Sequence, residues 1–196
     1  MGRCDHHKRY AWKRPFYISP HSLMRNSRSL NYEQALSRTA ELCSRCEQCT
    51  PDLRKKMSTW GVPAGDADRV IRKLEELNFV DDFRYARAYA HDKLEYSGWG
   101  RNKIIQGLWA KRLSRAAIEQ SLSEIEDEQY VDIARRVIKA KIRQSKEGVS
   151  TFDSRMKILR FAMQRGFEAR IASSLLKDII REMDDTDTDD ETWDEQ

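Results

Sequence analysis

The amino-acid sequence predicts an all-α protein: three tandem three-helix repeats in an elongated, curved arrangement, with flexible N- and C-terminal tails. Two observations carry this reading. Residues 31–183 are rich in Ala, Leu, Ile, Arg, Lys, Glu and Gln, which are good or fair helix formers, and they contain no alternating Val/Thr/aromatic run of the kind that a half-buried strand needs. The second observation is an internal repeat. Asp52–Val62 (DLRKKMSTWGV), Lys103–Leu113 (KIIQGLWAKRL) and Lys157–Phe167 (KILRFAMQRGF) align without a gap. Each has an apolar second residue (Leu53, Ile104, Ile158) and closes on an apolar one (Val62, Leu113, Phe167). Nine and twelve residues further on lie Ile71 and Leu74, Leu122 and Ile125, Leu176 and Ile179. A period of roughly fifty residues is too long for a helix pair and suits three helices.

In chain order, residues 1–30 are basic and lack helical periodicity, so they read as a flexible arm. Repeat 1 covers 31–80. Asn31 with Gln34 forms a capping box ahead of Ala35, Leu36, Thr39, Ala40 and Cys43. Thr50-Pro51 reads as the N-cap and first residue of the next helix, and Gly61 stands where a helix ends in a left-handed residue. Repeat 2 covers 81–126. Asp81 or Asp82 caps a helix carrying Tyr85, Ala86, Tyr89 and Ala90, Ser114 caps a later one, and Arg112 occupies the place of the terminating glycine. Repeat 3 covers 127–183, with Asp127 capping a helix that carries Tyr130, Ala134, Val137 and Ile138 and runs to about Ser145. Its second segment ends on Gly166. Thin helical units present incomplete apolar faces, so stacking neighbours completes their burial.

Charge is segregated along the chain. Residues 184–196 hold eight acids and no base, which reads as an acidic disordered tail; the other residues hold 36 bases against 24 acids, a net +12. A basic body suits a polyanion or an acidic protein surface. On the helix from Asp127, Arg135, Lys139, Arg143 and Lys146 fall opposite the apolar row. Lys157 and Arg160 on the following helix, and Arg101, Lys103, Lys111, Arg112 and Arg115 in repeat 2, extend the charge. These are the candidate partner- or DNA-binding residues. Most tryptophans read as core, while Trp99, between Gly98 and Gly100, is expected to be partly exposed.

Other chemistries lack their residues. No catalytic residue, cofactor or metal is expected: His91 is the single histidine of the repeat body, and no glycine-rich phosphate loop occurs. Cys43 and Cys46 continue the apolar row of the first helix and read as small hydrophobes, and no second C-x-x-C pair completes a structural zinc site with Cys49. No apolar run spans a membrane and no signal peptide is evident, so the expected setting is the cytoplasm, with Cys4, Cys43, Cys46 and Cys49 reduced.

The run Leu77-Asn78-Phe79-Val80-Asp81-Asp82-Phe83-Arg84-Tyr85-Ala86, with Gly98 before the Lys103–Leu113 segment, resembles the RecX family over residues 31 to about 183. Arg112 departs from the usual glycine. The resemblance implies a monomeric, non-enzymatic regulator that lies in the groove of the RecA recombinase filament and restrains its ATPase and strand-exchange activity in recombination, DNA repair and the SOS response. It also implies auxiliary contact with single- or double-stranded DNA. Two rivals stand beside it: a helical-repeat nucleic-acid binder acting without a recombinase, and a redox sensor built on the three clustered cysteines.

Overall fold

The computed structural model describes residues 29–145 and 147–189; most of the N-terminal arm, Lys146 and residues 190–196 lie outside it. Within the described residues the chain forms helices and no strand. The helices are α1 (Tyr32–Arg45), α2 (Thr50–Thr59), α3 (Ala64–Glu76), α4 (Asp82–Glu95), α5 (Arg101–Ala110), α6 (Arg115–Ser123), α7 (Asp127–Gln144), α8 (Phe152–Gln164) and α9 (Ala169–Asp189). They fall into three triplets of like construction.

Local chemistry sets the starts. Asn31 and Gln34 close the expected capping box, with the Gln34 N–H donating to Asn31 Oδ1 at 3.0 Å and the Asn31 N–H to Gln34 Oε1 at 3.2 Å. Asp81 accepts from the Phe83 and Arg84 amides, and Ser114 from that of Ala117. Two starts shift by one residue. Cys49 and not Thr50 occupies the N-cap of α2, because Asp82 takes both the Thr50 amide (2.8 Å) and its hydroxyl (2.7 Å). Glu126 and not Asp127 precedes α7, leaving Asp127 in the first turn, where a carboxylate favours the helix dipole. A capping box of Thr151 and Ser154 that the sequence reading did not include opens α8.

The repeat segments end alike. Gly61 and Gly166 have φ of +73° and +92°, and Arg112 takes the same left-handed turn at +59° despite its side chain. Helix α9 continues through Asp189, six residues into the segment read as a disordered acidic tail. Extending a packed helix costs one residue's ordering per hydrogen bond gained, so the acids do not stop it at once.

Burial follows the repeat with one correction. Positions five and eight beyond each closing residue are buried in all three units: Ala67 and Val70, Ile118 and Ser121, Ala172 and Leu175. Positions nine and twelve are buried in the first and third units, whereas Leu122 and Ile125 in the second are only partly so.

The core divides in two. Ala35, Leu53, Met57, Val62, Ala67, Val70, Ile71, Leu74 and Val80 form a core belonging to the first triplet alone. The second and third triplets share one continuous core, from Ala86 to Ile179, and Cys49 enters it from the first triplet with no exposed surface. The backbones of these two triplets nearly touch. Gly100 N–H donates to the Arg165 carbonyl (2.8 Å) and Asn102 N–H to that of Gly166 (3.1 Å), and a Cβ at Gly100 would overlap the Gly166 and Phe167 backbone. The first triplet is tied to the second by polar contacts: Arg84 Nε with Glu47 (2.9 Å), Lys111 with Asp52 (2.5 Å), and Thr50 with Asp82.

One geometric rule links both joints. The end of α8, at Arg165 and Gly166, meets the start of α5, and the end of α5, at Lys111, meets the first turn of α2. The second helices therefore follow end against end, in reverse chain order, and their repeat segments form a spine.

Candidate partner-binding surface

Residues 154–167, which cover α8 beyond Asp153 and the turn after it, and 100–118, which cover α5 and the start of α6, contain no acid. They carry Arg155, Lys157, Arg160, Arg165, Arg101, Lys103, Lys111, Arg112 and Arg115. The strip is locally basic, although acids outside it pair with four of its cations, Arg101, Lys111, Arg115 and Lys157.

The structure sorts the expected cations by what they touch. Arg101 is a joint: its guanidinium bonds Asp127 at 2.6 Å and lies 4.2 Å from the centre of the Tyr130 ring. Beneath it the fully buried Tyr130 hydroxyl accepts from the Arg101 amide (3.2 Å) and donates to Glu168 (2.5 Å). Burial, and then the Glu168 carboxylate, push the Tyr130 pKa above the ordinary phenol value. Lys111 ties α5 to Asp52 of α2. Lys103 reaches the Gln164 carbonyl at 3.4 Å and packs 4.8 Å from the Trp99 ring.

On α7 the stripe is less free than its periodicity implies. Arg135 and Lys139 both bind Glu182 of α9, the latter at 2.9 Å, and hold its carboxyl below the usual range, Lys139 contributing most. Arg115 pairs with Glu119 on its own helix, and Lys157 stands 3.7 Å from Glu147. Arg112, Arg143 and Arg160 are exposed and form no ion pair among the described residues. Lys146 lies outside the described residues. The cations most available to a partner are thus those at helix ends and on the outer face of α8.

Other surface residues escaped the sequence reading. Trp109, expected in the core, is 51% exposed, and Met163 is 53% exposed. Both are the seventh residue of their repeat segment, so an apolar side chain stands outward at the same register in two units. Trp99 is partly exposed as expected, but Lys93 and Lys103 cover its ring at 5.0 and 4.8 Å. Arg170, Lys177 and Arg181 line the exposed side of α9 at helical spacing.

The cysteines are divided between the cores. Cys43 packs against the first, and Cys49 is inside the second, where burial pushes its thiol pKa up to about 11. Such a thiol behaves as a small apolar side chain.

Comparison with known proteins bears on this arrangement. A family model for the second three-helix domain of RecX matches residues 81–122, and one for the third matches residues 127–176. Curated relatives named "Regulatory protein RecX" include one from Clostridium botulinum (strain Eklund 17B / Type B), 30% identical over 131 residues, covering 66% of this chain and 59% of the relative. One from Finegoldia magna is 29% identical over 109 residues, or 55% of this chain and 53% of the relative. The chain belongs to the RecX family.

A third RecX relative, from Vibrio parahaemolyticus, is 29% identical over 65% of this chain and 79% of its own. The chain thus spans between half and three fifths of the first two relatives and more of the third. Among solved structures, the RecX of Lactobacillus salivarius covers 75% of this chain and 95% of its own at 16% identity, with a TM-score of 0.68. A crystal structure titled "regulatory protein RecX" aligns with the same TM-score at 20% identity, over 75% of this chain and 71% of its own. At these identities the structures speak for the RecX fold alone. The spine cations Arg101, Lys103, Lys111, Arg112 and Arg115 fall within the second matched RecX domain, and Lys157 and Arg160 within the third. Within the described residues no helix is long and apolar enough to cross a membrane.

Proposed function

We propose that this chain regulates the RecA recombinase in recombination and DNA repair. It acts as a cytoplasmic monomer that binds the RecA filament through its basic spine and restrains ATP hydrolysis and strand exchange. It carries out no chemistry of its own. The observation that carries this reading, beside membership of a family of regulatory proteins, is the run of cations in residues 154–167 and 100–118, which contain no acid. Exposed Arg112, Arg143 and Arg160 offer charges that no ion pair within the described residues has neutralised. A filament presents acidic side chains and DNA phosphates at repeated intervals, and a repeat protein meets them with equivalent positions of successive units. Each contact is modest and screened by salt, so binding rests on their number.

Exposed Trp109, three residues from Arg112, favours an accompanying contact with single-stranded DNA, since a base stacks on an aromatic face beside a cation. Direct DNA binding without a recombinase is the competing reading. The test is RecA ATPase on single-stranded DNA, titrated with wild type and with an Arg112→Glu, Lys157→Glu, Arg160→Glu variant. The variant should lose most inhibition while its circular dichroism and melting stay near wild type. Inhibition equal to wild type would show the strip to be a solvated face. Tight oligonucleotide binding with no effect on RecA would favour the competing reading.

A further inference from the structure

Resting on that reading and deepening its nucleic-acid contact, we propose that the groove between α4 and α5 around Gly107, lined by Tyr89, Lys93, Lys103 and Lys111, binds a backbone phosphate of a single-stranded nucleic acid. Two rows of four-residue spacing meet here. On α4, Tyr85, Tyr89 and Lys93 share one face; on α5, Lys103, Gly107 and Lys111 share another. A Cβ at Gly107 would come 2.3 Å from the Tyr89 hydroxyl, so the phenol crosses α5 at the one residue of its row that has no side chain. The crossing lies one turn, about 6 Å along the axis, from Lys103 on one side and Lys111 on the other.

The lysines converge on the same place. Lys93 Nζ lies 5.0 Å from the centre of the Trp99 ring and 5.4 Å from that of Tyr89, and Lys103 Nζ lies 4.8 Å from the same indole. Lys93 is only 9% exposed. Burial pushes its pKa down, Asp92 on the same helix opposes this, and Lys111 adds to it, so Lys93 and Lys111 repel each other along the groove. Two acids stand nearby, Asp92 next to Lys93 in the chain and Asp52 paired with Lys111 at 2.5 Å. Against these two carboxylates the groove gathers three ammonium groups.

This is a donor set for a phosphate oxygen. The Tyr89 hydroxyl makes no hydrogen bond among the described residues, and an O–H donor beside ammonium groups suits a group that only accepts. An anion here relieves the repulsion between Lys93 and Lys111 and offsets the desolvation of Lys93. A duplex holds its phosphates on a stiff outer helix, whereas a single strand bends to bring one down to a recessed ammonium. Partly exposed Trp99, touching Lys93 and Lys103, adds the aromatic surface that single-strand binders place beside their cations.

Two measurements on the full chain test the proposal, neither involving RecA. The first is anisotropy of a labelled single-stranded oligonucleotide across a salt series. Lys93→Met keeps the alkyl packing and removes the charge; it should weaken binding about tenfold and reduce the slope of log K against log salt by about 0.7, with melting at or above wild type. Tyr89→Phe removes only the hydroxyl and should cost about two- to tenfold. Lys177→Met, an exposed cation on α9, is the control and should cost less than about twofold. The second is the Trp99 indole resonance, assigned by its loss in Trp99→Phe, titrated with the oligonucleotide and separately with inorganic phosphate. It should move with the oligonucleotide, and with phosphate only at far higher concentration. Lys93→Met and Tyr89→Phe binding as tightly as Lys177→Met would sink the groove, as would an indole that neither probe moves. Equal response to phosphate would replace the strand by the free anion and overturn the assignment. The groove fails alone if the Arg112→Glu, Lys157→Glu, Arg160→Glu variant still loses RecA inhibition, so its failure and that of the regulatory reading are distinguishable.

Discussion

Replacing Gly100 by alanine tests the joint between the second and third units. The added methyl would sit inside the backbone of Gly166 and Phe167, and neither is the far end of a side chain that can swing away. Overpacking against backbone costs about 1–3 kcal/mol. Separating the strands of chain to relieve it stretches the Gly100–Arg165 and Asn102–Gly166 hydrogen bonds, each contributing about 1 kcal/mol. The expected loss is about 3–5 kcal/mol, a large part of a typical domain's stability. Urea unfolding followed by far-UV circular dichroism measures it. Gly65→Ala is the matched control: a Cβ there meets nothing within 4 Å, so it should be neutral or stabilise α3 by about 0.5–1 kcal/mol. A Gly100→Ala protein within about 1 kcal/mol of wild type would refute the close contact and, with it, the end-to-end placement of α8 and α5.

Two further outcomes are expected. In a Cys4→Ser background at pH 8, a thiol reagent should label half-buried Cys43 and Cys46 in the native protein and Cys49 only after denaturation, since burial and a pKa of about 11 leave roughly one thiolate in a thousand; native labelling of Cys49 would place it outside the core. The depressed Glu182 carboxyl contributes stability above its ordinary value of about 4.3, lost as pH falls through its lower native value. The melting-temperature gap between wild type and Glu182→Gln should therefore close on acidification from pH 6 to 3, and a gap independent of pH would mean that Arg135 and Lys139 do not engage it.

Much of the architecture was legible because the repeat speaks three times. The closing residues Val62, Leu113 and Phe167 are all buried, and the caps at Asn31, Asp81 and Ser114 are local chemistry that a sequence displays directly. Arg112 shows the limit of a composition rule: packing of Leu113 holds the left-handed turn that glycine adopts more freely elsewhere. Contacts between distant segments were not legible. Arg135 and Lys139 looked like a free stripe because Glu182 lies more than forty residues away. Cys49 looked like part of a cysteine cluster because nothing local reveals that it crosses into the neighbouring core. Trp109 could have been found by comparing its register with Ser58 and Met163, both exposed.

The division of the core also bears on how the chain is made. Every buried residue of the first core lies between Ala35 and Val80, so that unit can close once its own residues have left the ribosome. The second core draws on residues as late as Ile179, and the backbone of Gly100 finds its partner only at Arg165. During synthesis the middle unit must therefore wait, with Leu94, Ile104 and Leu108 uncovered or loosely collapsed, until the third arrives. The interval between those two events is when a nascent chain of this design is most exposed to aggregation and to chaperone capture.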